Sequence, residues 1–157
     1  TTGIQANDLL FRKLMRDQGA TAKYVFGEVA ATAKTLGASA RPELRAIAGR
    51  LGDALQAWVK ATEWLSTEAK NGLAGPLTAA VPYLHLAVTV CGGWMMGKAA
   101  LAAAGYLDKG EGDQTFYRAK IATAHFYADQ MLPLATSYGV TVQAGAASLA
   151  ALTDDML

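Results

Sequence analysis

Charge is scarce in this chain of 157 residues, in which Asp, Glu, Lys and Arg make up 17% and hydrophobic residues 52%. Lys and Arg number 14, Asp and Glu number 13, and the formal net charge is +1. This balance provides neither a basic field for nucleic acid nor an acidic tail. Such thin charge is typical of a chain that covers apolar surface with a partner, or of one with a membrane segment. The length suits one domain with a sizeable core.

The residues that usually carry site chemistry are also few. The single Cys91 cannot form an internal disulfide, and it lies in an apolar stretch where a thiol is usually inert. His85 and His125 have no second His or Cys at metal-ligand spacing, and no glycine-rich phosphate loop follows a predicted strand. We expect His85 to be a hydrogen-bonded core histidine and His125 to pair with Asp129 on one helix face. We therefore predict no catalytic residue and no metal site in this chain.

Proline is scarce and alanine abundant, which favours helices. Apolar residues recur at helical spacing, and Thr21, Pro42 and Asp113 stand where helices begin. The turn chemistry of residues 106–113 predicts a loop, and Pro133 is expected to kink the helix that contains it. The sequence predicts an all-α fold, an antiparallel bundle of about five to six helices. The expected helices are residues 2–19, 21–37, 42–71 and 76–105, a fifth that begins at Asp113 and continues through a kink at Pro133, and a sixth over about residues 140–152.

A charge-free stretch from Leu73 to Gly97 raises the question of a membrane span. It is long enough to cross a bilayer, and Gly93 and Gly97 form a small-residue pair typical of close helix packing. Pro82, His85 and many weakly apolar residues argue against a span, and no Lys/Arg cluster marks one flank. We therefore expect a helix in the middle of a bundle that is buried on all its sides. Its glycines would let the backbone of a neighbouring helix approach closely.

The opening of the chain resembles the acyl-CoA dehydrogenase family. In that family a Tyr-Glu-Gly-Thr segment, often with the catalytic glutamate, runs into a helix of the form Gly-Ile-Gln-x-x-Asp-Leu. Here Gly3-Ile4-Gln5-Ala6-Asn7-Asp8-Leu9 has this form. Three further stretches resemble the extra C-terminal helical domain of one large subgroup of the family. The subgroup includes the 3-methylmercaptopropionyl-CoA dehydrogenase-like enzymes. The three stretches are Ala80-Val81-Pro82-Tyr83-Leu84, Gly92-Gly93-Trp94 and Phe116-Tyr117-Arg118-Ala119-Lys120-Ile121-Ala122-Thr123-Ala124.

The resemblance implies a parent enzyme that uses FAD to remove two hydrogens from an acyl-CoA thioester. A glutamate takes the α-proton while the flavin accepts a hydride, and that glutamate is expected just before Thr1. Thr1, Thr2 and Gly3 match positions that approach the FAD, so they are the cofactor-binding candidates. Residues 1–36 would end the dehydrogenase C-terminal helical domain, and residues 37–157 would form the extra one, together one compact bundle.

The resemblance also implies partners and a location. The remainder of the dehydrogenase chain, the acyl-CoA substrate of the parent and further copies in a homo-oligomer are the expected partners, in the cytoplasm and in fatty acid metabolism. We expect no nucleic acid partner and no stable membrane span, and we expect the start at Thr1 to be an artificial boundary, a proteolytic cut or the edge of an ordered fragment. The chain alone is expected to be inert and to lose FAD. The alternative is a stand-alone helical binding or scaffold protein, with membrane association as one form of it.

Overall fold

The computed structural model describes residues 2–152 and residue 156. These residues form helices and connecting loops without a strand, which confirms the prediction of an all-α bundle. Five α-helices have ten or more residues, and a sixth helix combines α1 with the π-helical segment that continues it. The elements are α1 (Thr2–Asn7), the π-helical segment (Asp8–Leu14), α2 (Ala20–Gly37), α3 (Pro42–Glu68), α4 (Ala74–Lys109), α5 (Gln114–Gln130), α6 (Leu134–Gln143) and α7 (Ala147–Ala150).

The core of the bundle lies between α3 and α4, and most of the other helices contact both. Pro42 stands in the first turn of α3, as its position in the sequence predicts. The predicted apolar stripe of α3 is buried along its whole length, because residues three and four apart share one face of a helix. Its members are Leu44, Ile47, Leu51, Ala54, Trp58, Thr62 and Leu65.

The first predicted helix is less regular than its spacing indicates. It changes from α1 to π-helical geometry over Asp8–Leu14 and ends there, five residues before the predicted stop at Gly19. Gly19 has φ +80° and precedes α2, which begins at Ala20. Thr21 therefore does not cap α2. The Asp17 carboxylate accepts hydrogen bonds from the backbone amides of Gly19, at 3.0 Å, and Thr21, at 2.9 Å.

Two predicted boundaries in the second half of the chain are wrong. α4 continues to Lys109 and ends at Gly110, whose φ of +67° suits a glycine, so the loop before α5 begins four residues later than expected. Pro133 does not kink a continuous helix. α5 ends at Gln130 and α6 begins at Leu134, because a helix that ends before the proline avoids its missing donor and its ring clash.

The predicted last helix, residues 140–152, is also wrong. Val140 lies inside α6, and the short α7 follows after a turn at Gly145. Gly145 has φ +64°, a left-handed conformation that interrupts a helix at little cost only for glycine. The sequence signal for this stop was therefore present at Gly145.

Asp113 caps α5 as predicted. One of its carboxylate oxygens accepts from the amides of Thr115, at 2.9 Å, and Phe116, at 3.0 Å. We expect Asp113→Ala to lower the free energy of unfolding by about 0.5–2 kcal/mol, because two amides at the helix start lose their acceptor. Thermal denaturation followed by circular dichroism measures the change. Asp113→Asn is the control, since its carbonyl can still accept, and equal melting temperatures of Asp113→Ala and the unchanged chain would contradict the cap.

α4 is not buried on all sides, contrary to the expectation. It is long and apolar enough to cross a membrane by length and composition, yet only 44% of its most apolar window is buried. One face packs on α1, α2, α3, α5 and α6, while another is exposed although it carries apolar side chains. The sequence could not distinguish these faces, because apolar residues occur all around the helix.

We predict that the 157-residue chain is soluble in water without detergent. The α4 face opposite the exposed one is already covered by protein, as in the core helix of a water-soluble bundle. Ultracentrifugation of a cell lysate, followed by size-exclusion chromatography without detergent, tests this. Recovery in the membrane fraction alone, with folding that depends on detergent, would contradict the bundle.

Gly92, Gly93 and Gly97 of α4 lie against side chains, not against a neighbouring helix backbone. A Cβ atom at Gly93 would lie 2.5 Å from Leu132 Cδ2, and one at Gly97 would lie 2.9 Å from Leu36 Cδ1. Both leucines are fully buried. At Gly92 the neighbour is the ring of Tyr127. The glycines thus accept large side chains from α2, from α5 and from the turn that follows α5.

Candidate functional site

The described residues do not bring together a catalytic or metal-binding cluster. No group of three or more His, Cys, Asp and Glu side chains that could hold a metal ion occurs among them. His85 is exposed on α4 beside Tyr138, with ring centroids 5.4 Å apart, and is therefore not the core histidine that we expected. His125 Nε2 lies 3.4 Å from Asp129 Oδ2, which confirms that predicted pair, and Arg50 shares the carboxylate at 3.6 Å.

The cofactor-binding candidates lie at the start of the chain. Thr1 is outside the residues that the structure describes, and Thr2 is the first residue of α1. Gly3 is exposed, and a Cβ atom there would meet nothing within 4 Å. The structure thus leaves the surface at Gly3 open, and its role toward a cofactor stays a prediction.

An apolar groove of about 310 Å³ opens between the π-helical segment, α2 and α4. Part of its floor is formed by Trp58 of α3 and Tyr83 of α4, both buried. Distant parts of the sequence form this groove, so their helical spacing alone could not predict it. Its lining residues are Leu9, Lys13, Leu14, Asp17, Thr21, Ala22, Val25, Trp58, Tyr83, Leu84, Ala87, Val88 and Cys91.

The polar atoms at the floor are held by neighbouring side chains and backbone. The Thr62 hydroxyl donates to the carbonyl of Trp58 at 2.8 Å, so the Tyr83 hydroxyl, 2.8 Å from Thr62 Oγ1, acts as the donor to it. Burial raises the pKa of Tyr83, against the opposing effect of its hydrogen bond with Thr62. Trp58 Nε1 finds no acceptor within the described part of the chain. The floor is therefore neutral and gives no base for proton transfer.

The titratable groups at the wall and rim are also unsuited to acid–base catalysis. Hydrogen bonds from Thr21, its side chain first and its backbone amide next, lower the pKa of Asp17. A carboxylate with a lowered pKa is a weaker base. Burial raises the pKa of the Cys91 thiol, which reduces its thiolate fraction at neutral pH and so its reactivity. The groove can bind apolar groups, but these residues give it no nucleophile or general base.

One wall of the groove belongs to a longer apolar surface on α4. Nine uncharged residues recur along α4 at spacings of three and four, and at about 100° per residue they lie within an arc of about 80°. Seven of them are exposed, and Leu84 and Cys91 are partly buried. We call this surface the α4 strip. It consists of Leu77, Val81, Leu84, Val88, Cys91, Met95, Ala99, Ala102 and Tyr106.

The sequence shows that the α4 strip is an uncharged helix face, but not that this face is exposed. Its three–four spacing marks a continuous helix face, and no charged residue occurs at its nine positions. Our expectation of a helix buried on all sides missed it, because a charge-free helix looks the same whether its last face meets the core or another protein.

One family model and two characterised relatives match this chain. The matching family model is described as acetyl-CoA dehydrogenase C-terminal like and covers residues 25–153. The 3-methylmercaptopropionyl-CoA dehydrogenase of Ruegeria pomeroyi is 42% identical over 132 residues, which are 84% of this chain and 22% of that protein. The broad-specificity linear acyl-CoA dehydrogenase FadE5 of Mycobacterium tuberculosis is 32% identical over 151 residues, which are 87% of this chain and 23% of that protein. The chain thus spans less than a quarter of the length of these two relatives.

Proposed function

The chain belongs to the acetyl-CoA dehydrogenase C-terminal-like family, and from this premise we propose that it is the C-terminal helical part of a FAD-dependent acyl-CoA dehydrogenase. The observation that carries the proposal is the match over residues 25–153, together with relatives of which the chain spans only 22% and 23%. The whole enzyme would oxidise an acyl-CoA thioester between Cα and Cβ. Within it, residues 1–36 would complete the dehydrogenase helical domain and residues 37–157 would add a further helical domain.

We propose that this part does not perform the chemistry. Removal of an α-proton needs a carboxylate base within hydrogen-bond reach of the substrate carbon. In the groove the carboxylate is Asp17, whose oxygens are already engaged by the amides of Gly19 and Thr21 and whose pKa is lowered. The base would therefore come from the preceding part of the enzyme, as a glutamate just before Thr1.

The described residues at the start of the chain form an open surface rather than an enclosed flavin site. Gly3 presents open backbone at the start of the chain, where a Cβ atom would meet nothing within 4 Å. This open surface leaves room for another group to approach the backbone at Gly3. We infer that Thr1, Thr2 and Gly3 contribute to a FAD site that the preceding polypeptide completes, and that this chain alone does not retain FAD.

The partners and the location of the protein are part of the same proposal. The remainder of the dehydrogenase chain would be the principal partner, with an acyl-CoA as substrate of the whole enzyme. We further propose a cytoplasmic homo-oligomer without a membrane span. The α4 helix packs against five other helices of the bundle, which supports a core position for it over a lipid-facing one.

The coding sequence directly upstream of Thr1 tests this proposal at small cost. We expect it to encode a Tyr-Glu-Gly segment in frame with Thr1, preceded by several hundred residues of a dehydrogenase. The alternative is a stand-alone helical binding or scaffold protein. An upstream reading frame without a dehydrogenase would contradict the proposal and favour this alternative.

A further inference from the structure

The α4 strip stands out because it is apolar and exposed at the same time. Leu77, Val88 and Met95 are 51%, 60% and 47% exposed. From Leu77 to Tyr106 the strip runs roughly 44 Å along the helix, at about 1.5 Å per residue. Continuous apolar surfaces of this kind on soluble proteins usually mark an interaction site.

The groove and the α4 strip form one surface. Leu84, Val88 and Cys91 belong to both, so the groove lies beside the middle of the strip and shares one wall with it. An apolar partner face could cover the strip while one of its side chains enters the groove. Interfaces of this composition, with few charges at the centre, are typical of permanent contacts.

The chain outside this structure indicates what covers the surface. The family match is to a C-terminal part, and the two relatives are more than four times as long as the matched region. Any polypeptide that precedes Thr2 is joined to α1, and α1 packs directly on α4. The π-helical segment that continues α1 lines the groove through Leu9 and Lys13. Such a tether raises the effective concentration of the preceding polypeptide at this surface to the order of millimolar.

We propose that the α4 strip and its groove are the surface on which this domain docks against the preceding part of its own polypeptide. This inference rests on the proposed function, because it takes the preceding part to be the dehydrogenase. The docked partner covers Val88 and Met95 and excludes water from the groove. Surfaces away from α4, such as the exposed face of α6, stay in contact with solvent.

Thiol labelling at two matched valines tests the docking. Val88, on the strip, is 60% exposed and Val140, on α6, is 66% exposed, so they are equivalent probes in the 157-residue chain. Each is changed to cysteine in a Cys91→Ala background, both in this chain and in the full-length gene product. Maleimide incorporation is then followed by mass spectrometry of the peptide that carries the new cysteine, which separates it from other cysteines of the longer protein.

We expect both positions to react at similar rates in the 157-residue chain. In the full-length protein Val88→Cys should react at least about tenfold more slowly, since a covered thiol waits for the interface to open, while Val140→Cys should not be slowed. Fast labelling at position 88 in the full-length protein would overturn the proposal. Slow labelling at position 88 in the 157-residue chain, together with a dimer in light scattering, would also overturn the proposal, because a second copy would then cover the strip. Slow labelling only in the presence of lipid vesicles would overturn it by identifying a membrane as the occupant.

The flavin absorbance of the same full-length sample separates this inference from the proposed function. If the full-length protein contains flavin but is labelled fast at position 88, the docking proposal is wrong and the dehydrogenase assignment stands. A flavin-free protein with slow labelling at position 88 would leave the docking in place and remove the assignment.

Discussion

Gly93→Leu should destabilise the domain by about 1–3 kcal/mol, the usual cost of overpacking a filled core. Gly93 is buried in the middle of α4, and even a Cβ atom there would lie 2.5 Å from Leu132 Cδ2 and 3.0 Å from its Cγ. Leu132 is 1% exposed and cannot move into solvent without leaving the core. For a chain of this size, the melting temperature should fall on the order of 2–10 °C.

Gly105→Leu is the matched control in the same helix. A Cβ atom at Gly105 meets nothing within 4 Å, and the residue is exposed. Leucine is a better helix former than glycine by several tenths of a kcal/mol, so this variant should melt at the same temperature or slightly higher. Thermal denaturation of both variants gives the comparison. Equal melting temperatures of Gly93→Leu and the unchanged chain would show that α4 is not packed as described.

Removal of a surface charge on α3 should change the melting temperature much less than Gly93→Leu does. Glu63 is exposed, and neither of its carboxylate oxygens takes part in a hydrogen bond or ion pair of the described residues. Glu68 also looks like a solvated charge in the sequence, but it is half-buried over Gly75 and accepts from Asn71 at 3.2 Å. Glu63→Ala is therefore the better neutral reference for the stability measurements.

Much of the fold could be predicted from local rules. The α3 stripe followed from helical periodicity, and Pro42 and Asp113 marked helix starts because each satisfies or removes an unpaired backbone amide. The irregular turns followed local rules less well. Hydrophobic spacing reports neither the π-helical geometry of Asp8–Leu14 nor the break between α6 and α7, which Gly145 marks instead.

The candidate site was less predictable because it depends on contacts between distant residues. The groove needs Leu9, Trp58 and Val88 to meet, and nothing in their separate helices indicates that they do. His85 shows the same limit. Its apolar neighbours in sequence indicated burial, but in a helix adjacent residues point in different directions, and this one faces outward.

The family resemblance identified the class of protein where local rules indicated only a helical bundle. Among the described residues no group of three or more potential metal ligands occurs, so the bundle by itself did not indicate a class of reaction. The opening motif, from Gly3 to Leu9, and the stretch at residues 116–124 supplied the link to a flavoenzyme, and the match over residues 25–153 agrees with it. The residues that approach the flavin remain a prediction.

Flavin retention and turnover should differ completely between the two lengths of the protein. The 157-residue chain offers the open surface of Gly3, an apolar groove and no free carboxylate base in that groove. It should therefore purify without flavin and oxidise no acyl-CoA. Under the proposed function, the full-length protein should contain FAD and act as a dehydrogenase, because the cofactor would carry the redox step and the preceding polypeptide would hold it.

The most direct measurement is the visible absorbance of the two purified forms, followed by turnover of a panel of acyl-CoA thioesters with an artificial electron acceptor. The account predicts flavin absorbance and turnover in the full-length protein and neither in the 157-residue chain. Stoichiometric flavin or turnover in the short chain, or a full-length protein that never binds flavin, would contradict it.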